Sequence, residues 1–122
     1  MKMIKICSLL VVLVLASANL QAQEKPKYER EGDKIRVTYY HENGVIKETG
    51  TYYKSVLDGK WTQYDDDGNI LFEAYYDNGD KVGKWFKWDL EEKILYEMVY
   101  EDNTLLSVDK WKLEKRNLLA ER

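Results

Sequence analysis

The chain holds one cysteine, one proline and one histidine in 122 residues, and each scarcity removes a class of chemistry. Cys7 sits in the N-terminal apolar run, so the rest of the chain has no disulfide, no thiolate nucleophile and no cysteine metal ligand. His41 has no second histidine with which to complete a metal site or to activate a nucleophile. Past residue 22 the only serines are Ser55 and Ser107, and neither lies in a G-x-S-x-G context. Neither a P-loop nor a G-x-G-x-x-G run occurs. The expectation is a protein that is not an enzyme, with no catalytic residue, no metal and no cofactor. Pro26 precedes everything that reads as strand, so nothing later in the chain forbids a continuous antiparallel ladder.

The first 22 residues follow the order of a secretory signal peptide. Lys2 and Lys5 give a positive start, Ile6 to Leu15 form an apolar run broken only by Cys7 and Ser8, and small and polar residues follow to Ala22. Cleavage is expected after Ala22, with Ala18 as the alternative. The apolar run falls short of the roughly 20 residues that span a bilayer, so a retained anchor is the weaker reading. Cys7 opens the run instead of closing it, which argues against lipidation. The expected address is therefore exported, in the periplasm or at the cell surface, with no transmembrane segment in the mature chain. About 100 residues remain, enough for one domain. Removing two lysines from 19 basic and 22 acidic residues leaves 17 against 22, a net of −5. The charges are interspersed and no basic patch stands out, which excludes nucleic acid as a partner.

What the chain has in abundance is a repeat. Laid in rows of 24, Tyr28, Tyr52, Tyr76 and Tyr100 share one column, and Ile46, Ile70 and Ile94 another. Gly59 aligns with Gly83, Lys60 with Lys84, Val37 with Trp61 and Trp85, and Tyr40 with Tyr64 and Trp88. Each row contains a short strand-like run ("IRVTYY", "GKWTQY", "GKWFKW") and a longer one of period two. Ile70, Phe72, Ala74 and Tyr76 fall on one face, as do Ile94, Tyr96, Met98 and Tyr100. The first copy, with Ile46, Glu48, Gly50 and Tyr52, is poorer in apolar residues. Between the runs lie turn clusters rich in Asn, Asp and Gly, the residues of hairpins. One row buries too little to stand alone, so rows must stack. The predicted fold is all-β: an elongated single antiparallel meander of stacked hairpin repeats of about 24 residues, ending in a short C-terminal helix or arm. The predicted domain is 23–112, with copies at about 35–58, 59–82 and 83–106 and a degenerate cap from 107. In that cap, Trp111 comes two residues late for the tryptophan column, as in a bulged copy. The tail, 113–122, is made of helix formers, with Leu113, Leu118 and Leu119 as contacts that would cover the last hairpin.

The pattern Tyr40-His41-Glu42-Asn43-Gly44, Tyr52, Asp58-Gly59-Lys60-Trp61, Tyr64 to Gly68, Tyr76, Asn78-Gly79 and Gly83-Lys84-Trp85 resembles MORN repeats. It is most similar to the bacterial variant found in toxin–antitoxin system antitoxins. The resemblance covers roughly Ile35 to Asn103. It implies an antiparallel meander of stacked hairpins that serves as a platform for protein–protein or membrane-surface contacts. The third copy departs from the pattern, with Glu92 in the turn-glycine column and no further G-K-W after it.

Candidate binding residues come from the aromatic columns. Trp61 and Tyr64 lie three apart, as do Trp85 and Trp88, so in a regular strand one of each pair faces the core and the other faces out. The candidate surface comprises Trp61, Tyr64, Trp85 and Trp88 with Lys60 and Lys84 beside them. His41 reads as a solvated turn residue. The run Asp65 to Asn69 fails as a calcium loop: with Gly68 as the sixth position, Gln63 is first and Ala74 last, and the pattern is that of an ordinary Asp/Gly turn. Carboxylates spread over a flat meander provide no cleft for a glycosidase pair. The leading expectation is an exported, non-enzymatic interaction module whose partner is a protein. The alternatives are an antitoxin or immunity-like inhibitor of a toxin partner, and a cell-wall glycan binder. The sequence leaves the oligomeric state open.

Overall fold

The computed structural model describes residues 24–114. Among them, nine strands form one antiparallel sheet: β1 (Lys27–Glu31), β2 (Lys34–Tyr40), β3 (Ile46–Tyr53), β4 (Val56–Tyr64), β5 (Ile70–Asp77), β6 (Asp80–Lys81), β7 (Gly83–Asp89), β8 (Ile94–Glu101) and β9 (Thr104–Lys112). Each strand pairs with its neighbour in the chain, in the order β1-β2-β3-β4-β5-β7-β8-β9, with the two-residue β6 also on β5. The expected all-β meander is therefore the fold. None of the described residues is helical; the tail expected to form a helix or arm lies outside them beyond Glu114. No helix of the described residues is long and apolar enough to cross a membrane.

Two kinds of turn alternate. On one side of the sheet, β3–β4, β5–β6 and β8–β9 are joined by two-residue turns. Their central residues are Lys54-Ser55, Asn78-Gly79 and Asp102-Asn103, all with positive φ. That is the type I′ hairpin, whose twist matches that of the flanking strands. On the other side, five-residue loops join β2 to β3 and β4 to β5, with Gly44 and Gly68 at φ 85° and 88°. In each loop the first residue's N–H donates to the carbonyl of the last: His41 to Val45 at 2.8 Å and Asp65 to Asn69 at 2.8 Å. In the third copy, Glu92 stands in the glycine column, and the left-handed residue is Lys93 instead.

Successive copies are also tied at their turns. The Gly79 N–H donates to the Leu57 carbonyl (2.9 Å), and the Asn103 N–H donates to that of Lys81 (3.0 Å), the same bond one copy on. His41 Nε2 lies 2.8 Å from the Tyr64 carbonyl, and the Asn43 amide donates to the Asp66 carbonyl at 2.9 Å. His41 is thus half-buried and holds the first loop to the second, instead of standing free in solvent as its turn position suggested.

A register irregularity explains the recurring G-K-W. Asp58 opposes Thr51 and Thr62 opposes Thr49, so Gly50 alone faces three residues, Gly59 to Trp61. The same offset recurs between Tyr76–Lys81 and Glu73–Phe86, around Gly83 to Trp85. Gly59 and Gly83 take φ of 68° and 71° there, a conformation that other L-residues reach only at a cost. In the first hairpin, Ile35-Arg36-Val37 replace G-K-W, and β1 pairs with β2 without a shift.

Each bulge turns a tryptophan onto one face of the sheet. Trp61 and Trp85 are 6% and 5% exposed and form the core with Val37 and Ala74. Trp85 is ringed by Phe72 (5.7 Å), Tyr76 (5.2 Å) and Tyr100 (4.8 Å between centroids), and Tyr52 meets Trp61 edge-on at 5.0 Å. Their indole N–H groups bond to equivalent carbonyls, Trp61 to Thr51 (3.1 Å) and Trp85 to Tyr75 (3.0 Å). Burying a ring of this size contributes about 4–6 kcal/mol as an upper bound.

Candidate interaction surface

The sheet is a single layer among the described residues, so the opposite, open face is uncovered as the first is, although Thr62 and Leu95 on it are only 5% and 7% exposed. By strand alternation, Lys60, Thr62 and Tyr64 of β4 point there, as do Lys84, Phe86 and Trp88 of β7. Of the sequence-derived candidates, the structure thus separates Trp61 and Trp85, which are core, from Tyr64 and Trp88, which are half-buried on the open face. The three-residue spacing within each pair produces this division. The lysines share the open face and are engaged. Lys60 Nζ is 3.3 Å from Glu73, and Lys84 Nζ is 3.1 Å from Glu97, one copy later. Burial disfavours the Lys60 charge, but the Glu73 carboxylate outweighs this and holds its pKa above the ordinary lysine value. In both pairs the glutamate is the more covered partner, 15% and 16% exposed, while the lysine head reaches solvent.

The aromatic column extends further than the sequence spacing showed. Lys87 opposes Phe72, and one copy later Lys110, not Trp111, opposes Tyr96. The bulge in β9 inserts one residue, Leu106, where the bulges at G-K-W insert two. Trp111 therefore opposes Leu95, which on its other side opposes Trp88. It stands not in the core column of Trp61 and Trp85 but on the open face, continuing Tyr40, Tyr64 and Trp88. β9 is bulged at Leu106, and its tryptophan is turned over. Strict counting could not find this, because a shift of one residue rather than two exchanges the faces.

The stripe runs across the strands to β9, the last strand of the sheet among the described residues. Leu95 lies between Trp88 and Trp111 and is 7% exposed; Leu113 is equally covered, with its N–H donating to the Lys93 carbonyl at 2.7 Å. Phe86 packs beside Trp88 with ring centroids 5.9 Å apart. Trp111 itself is 47% exposed.

The acidic run at 65–67 brings three carboxylates within 4.8 Å of one another. Asp65 is already committed to its own turn: Oδ1 accepts the N–H groups of Asp67 (3.0 Å) and Asn69 (2.8 Å), and Oδ2 accepts the Asn69 amide (3.1 Å). Desolvation alone would raise its pKa, but these bonds prevail and hold it below the usual aspartate value.

Fold and surface together define a β-hairpin repeat protein whose tryptophan core lies on one face of a single-layered sheet and whose aromatic stripe lies on the other. The family described as MORN repeat variant matches residues 35–54 and 57–78, the first two copies. No curated protein matches the chain.

Proposed function

We propose that this chain is an exported, non-enzymatic repeat module that binds a protein partner through its open face, at Tyr64, Trp88 and Trp111. The observation that carries this reading is the aromatic column that ends on a strand exposed along its whole length, with no second layer over it among the described residues. Aromatic residues dominate protein interfaces because they bury much area with few rotatable bonds. The lysine–glutamate pairs frame the stripe with charge and would set orientation more than affinity. The match to MORN repeat variant over two copies supports an interaction role.

The test places a photo-crosslinking residue at position 64 in the native host and recovers the envelope partner. Cell fractionation in the same experiment reports export. Trp88→Ala with Trp111→Ala is expected to abolish the crosslink while the melting curve stays close to that of the parent. Undiminished capture by this variant would move the site elsewhere. The same column favours a second reading, cell-wall glycan, since sugar rings stack on tyrosine and tryptophan. Retention on peptidoglycan or polysaccharide, lost in the same variant, would select it.

A further inference from the structure

The tryptophan face is built twice over, around Trp61 and one period later around Trp85, and the two registers agree. Trp61 opposes Ala74 as Trp85 opposes Met98, and Leu57 opposes Tyr52 as Lys81 opposes Tyr76. Gln63 lies between Glu48 and Phe72 as Lys87 lies between Phe72 and Tyr96. At Trp85 the cluster is complete. Lys81 Nζ lies 5.1 Å from the centre of the Trp85 ring and 5.4 Å from that of Tyr100, and Met98 packs against the core. At Trp61 four residues differ. Leu57 stands in the place of Lys81 and Gln63 in that of Lys87, so both cations are gone. Ala74 stands in the place of Met98, so a side chain is gone. Glu48 stands where the later cluster has Phe72, so a carboxylate is gained. These four residues and the rings of Trp61, Phe72 and Tyr76 line a cavity of about 100 Å³. A void needs only about 10–15 Å³ to admit a water, so this one admits a compact polyatomic group. The Gln63 amide donates to Glu48 Oε2 at 2.8 Å, which holds the carboxylate in place and leaves Oε1 for a ligand. Burial raises the Tyr76 pKa and the Glu48 charge raises it further, so ring and carboxylate share one environment.

We propose that this cavity binds a small methylated ammonium ion. The ligand supplies beside Trp61 and Tyr76 the cation that Lys81 supplies beside Trp85 and Tyr100, and Glu48 balances its charge. Aromatic rings attract a cation within about 6 Å, and more strongly once it has shed its water. A primary ammonium brings three N–H donors and a tightly held hydration shell. The cavity offers it one free carboxylate oxygen, the Gln63 amide and otherwise rings and alkyl groups. Methyl groups in place of those donors need no acceptors, and they fill the space that Ala74 leaves. The site therefore selects a trimethylammonium group over a lysine-like amine. It lies on the face opposite Tyr64, Trp88 and Trp111 and does not depend on the partner surface there.

The test uses the full chain and chemical-shift titration with choline, with ethanolamine, and with the neutral alcohol that has carbon in place of the choline nitrogen. Saturable shifts at residues 48, 57–63 and 72–76 are expected with choline, with at least tenfold weaker binding of the other two. Glu48→Gln should weaken choline at least tenfold and leave the alcohol unchanged. Ala74→Met and Leu57→Lys each restore the residue found around Trp85, and each should abolish choline binding. If Ala74→Met fails to fold, Leu57→Lys still decides. Absence of saturation, or equal affinity of choline for parent and Leu57→Lys, overturns the site. Equal affinity for choline and the alcohol overturns the role of charge, and equal affinity for ethanolamine overturns the methylated class. Phosphatidylcholine vesicles separate two sources of the same group. Co-sedimentation that is lost in Leu57→Lys assigns it to a lipid headgroup, and choline binding without co-sedimentation assigns it to a free solute.

Discussion

Gly50 lies where the sequence alone gave it no purpose, in the middle of a strand face that also carries Ile46, Glu48 and Tyr52. A methyl group placed there would overlap the Trp61 ring, which lies directly over the backbone. The ring is buried and held by its bond to the Thr51 carbonyl, so it cannot swing aside cheaply. Gly50→Ala is expected to cost about 1–3 kcal/mol, read as a lower denaturation midpoint with unchanged slope. The second copy has Ala74 opposite Trp61 from the far side, so small residues flank the ring on both strands. A contrasting residue-scale cost sits at Lys54 and Ser55, where φ values of 47° and 66° are taken by residues with side chains. The equivalent turn uses Asn78-Gly79. Replacing Lys54→Asn and Ser55→Gly should raise stability by about 1–2 kcal/mol, since each left-handed L-residue is disfavoured by about that amount. A thermal melt checks the direction directly.

Among the elements, the loop at 65–69 offers a pH test. Because the Asp65 pKa is depressed in the folded state, its contribution is fully present above the aspartate pKa of the unfolded chain, about 3.9. It is lost as pH falls through the lower, folded value. The melting temperature of the parent should therefore drop toward acid, and the gap between it and Asp65→Ala should narrow as the pH is lowered below 4. A gap that persists unchanged would show that the carboxylate charge is not what holds the turn. The strands themselves were legible in the sequence, because period-two alternation and Asn/Gly turns report directly on local backbone preference. The bulges were only half legible. The repeated G-K-W marked where something recurred, but the number of inserted residues depends on which register buries the indole. Trp111 shows the consequence: one inserted residue in place of two moves it from the core column to the open face. Trp85→Ala should cost about 3–5 kcal/mol and Trp111→Ala less than about 0.5. Iodide should quench Trp111 emission freely and that of Trp61 and Trp85 hardly at all.

At the scale of the whole molecule, the sheet is one layer whose two edges differ. Four of the five residues of β1 are charged, and Lys27–Glu29 and Glu31–Arg36 pair along it at 2.8 and 3.0 Å. Charged, short edges resist strand addition. The β9 edge is nine residues long, with Leu105, Leu106, Val108 and Trp111 all about half exposed. Neighbouring copies hold one another through ring contacts and turn-to-turn bonds, so stability is a sum of near-neighbour terms. The aromatic stripe follows from the repeat, since one strand position carries Tyr40, Tyr64 and Trp88 in successive copies.

By itself the sequence determined the repeat period, the strands and their turns, and the segregation of each aromatic pair to opposite faces, because all of these follow from local periodicity and backbone preference. Only the tertiary structure decided which face holds the tryptophan core, why Gly50 must be small and where Trp111 points. Those depend on cross-strand register, and register is set by how side chains from distant parts of the chain fill a shared space.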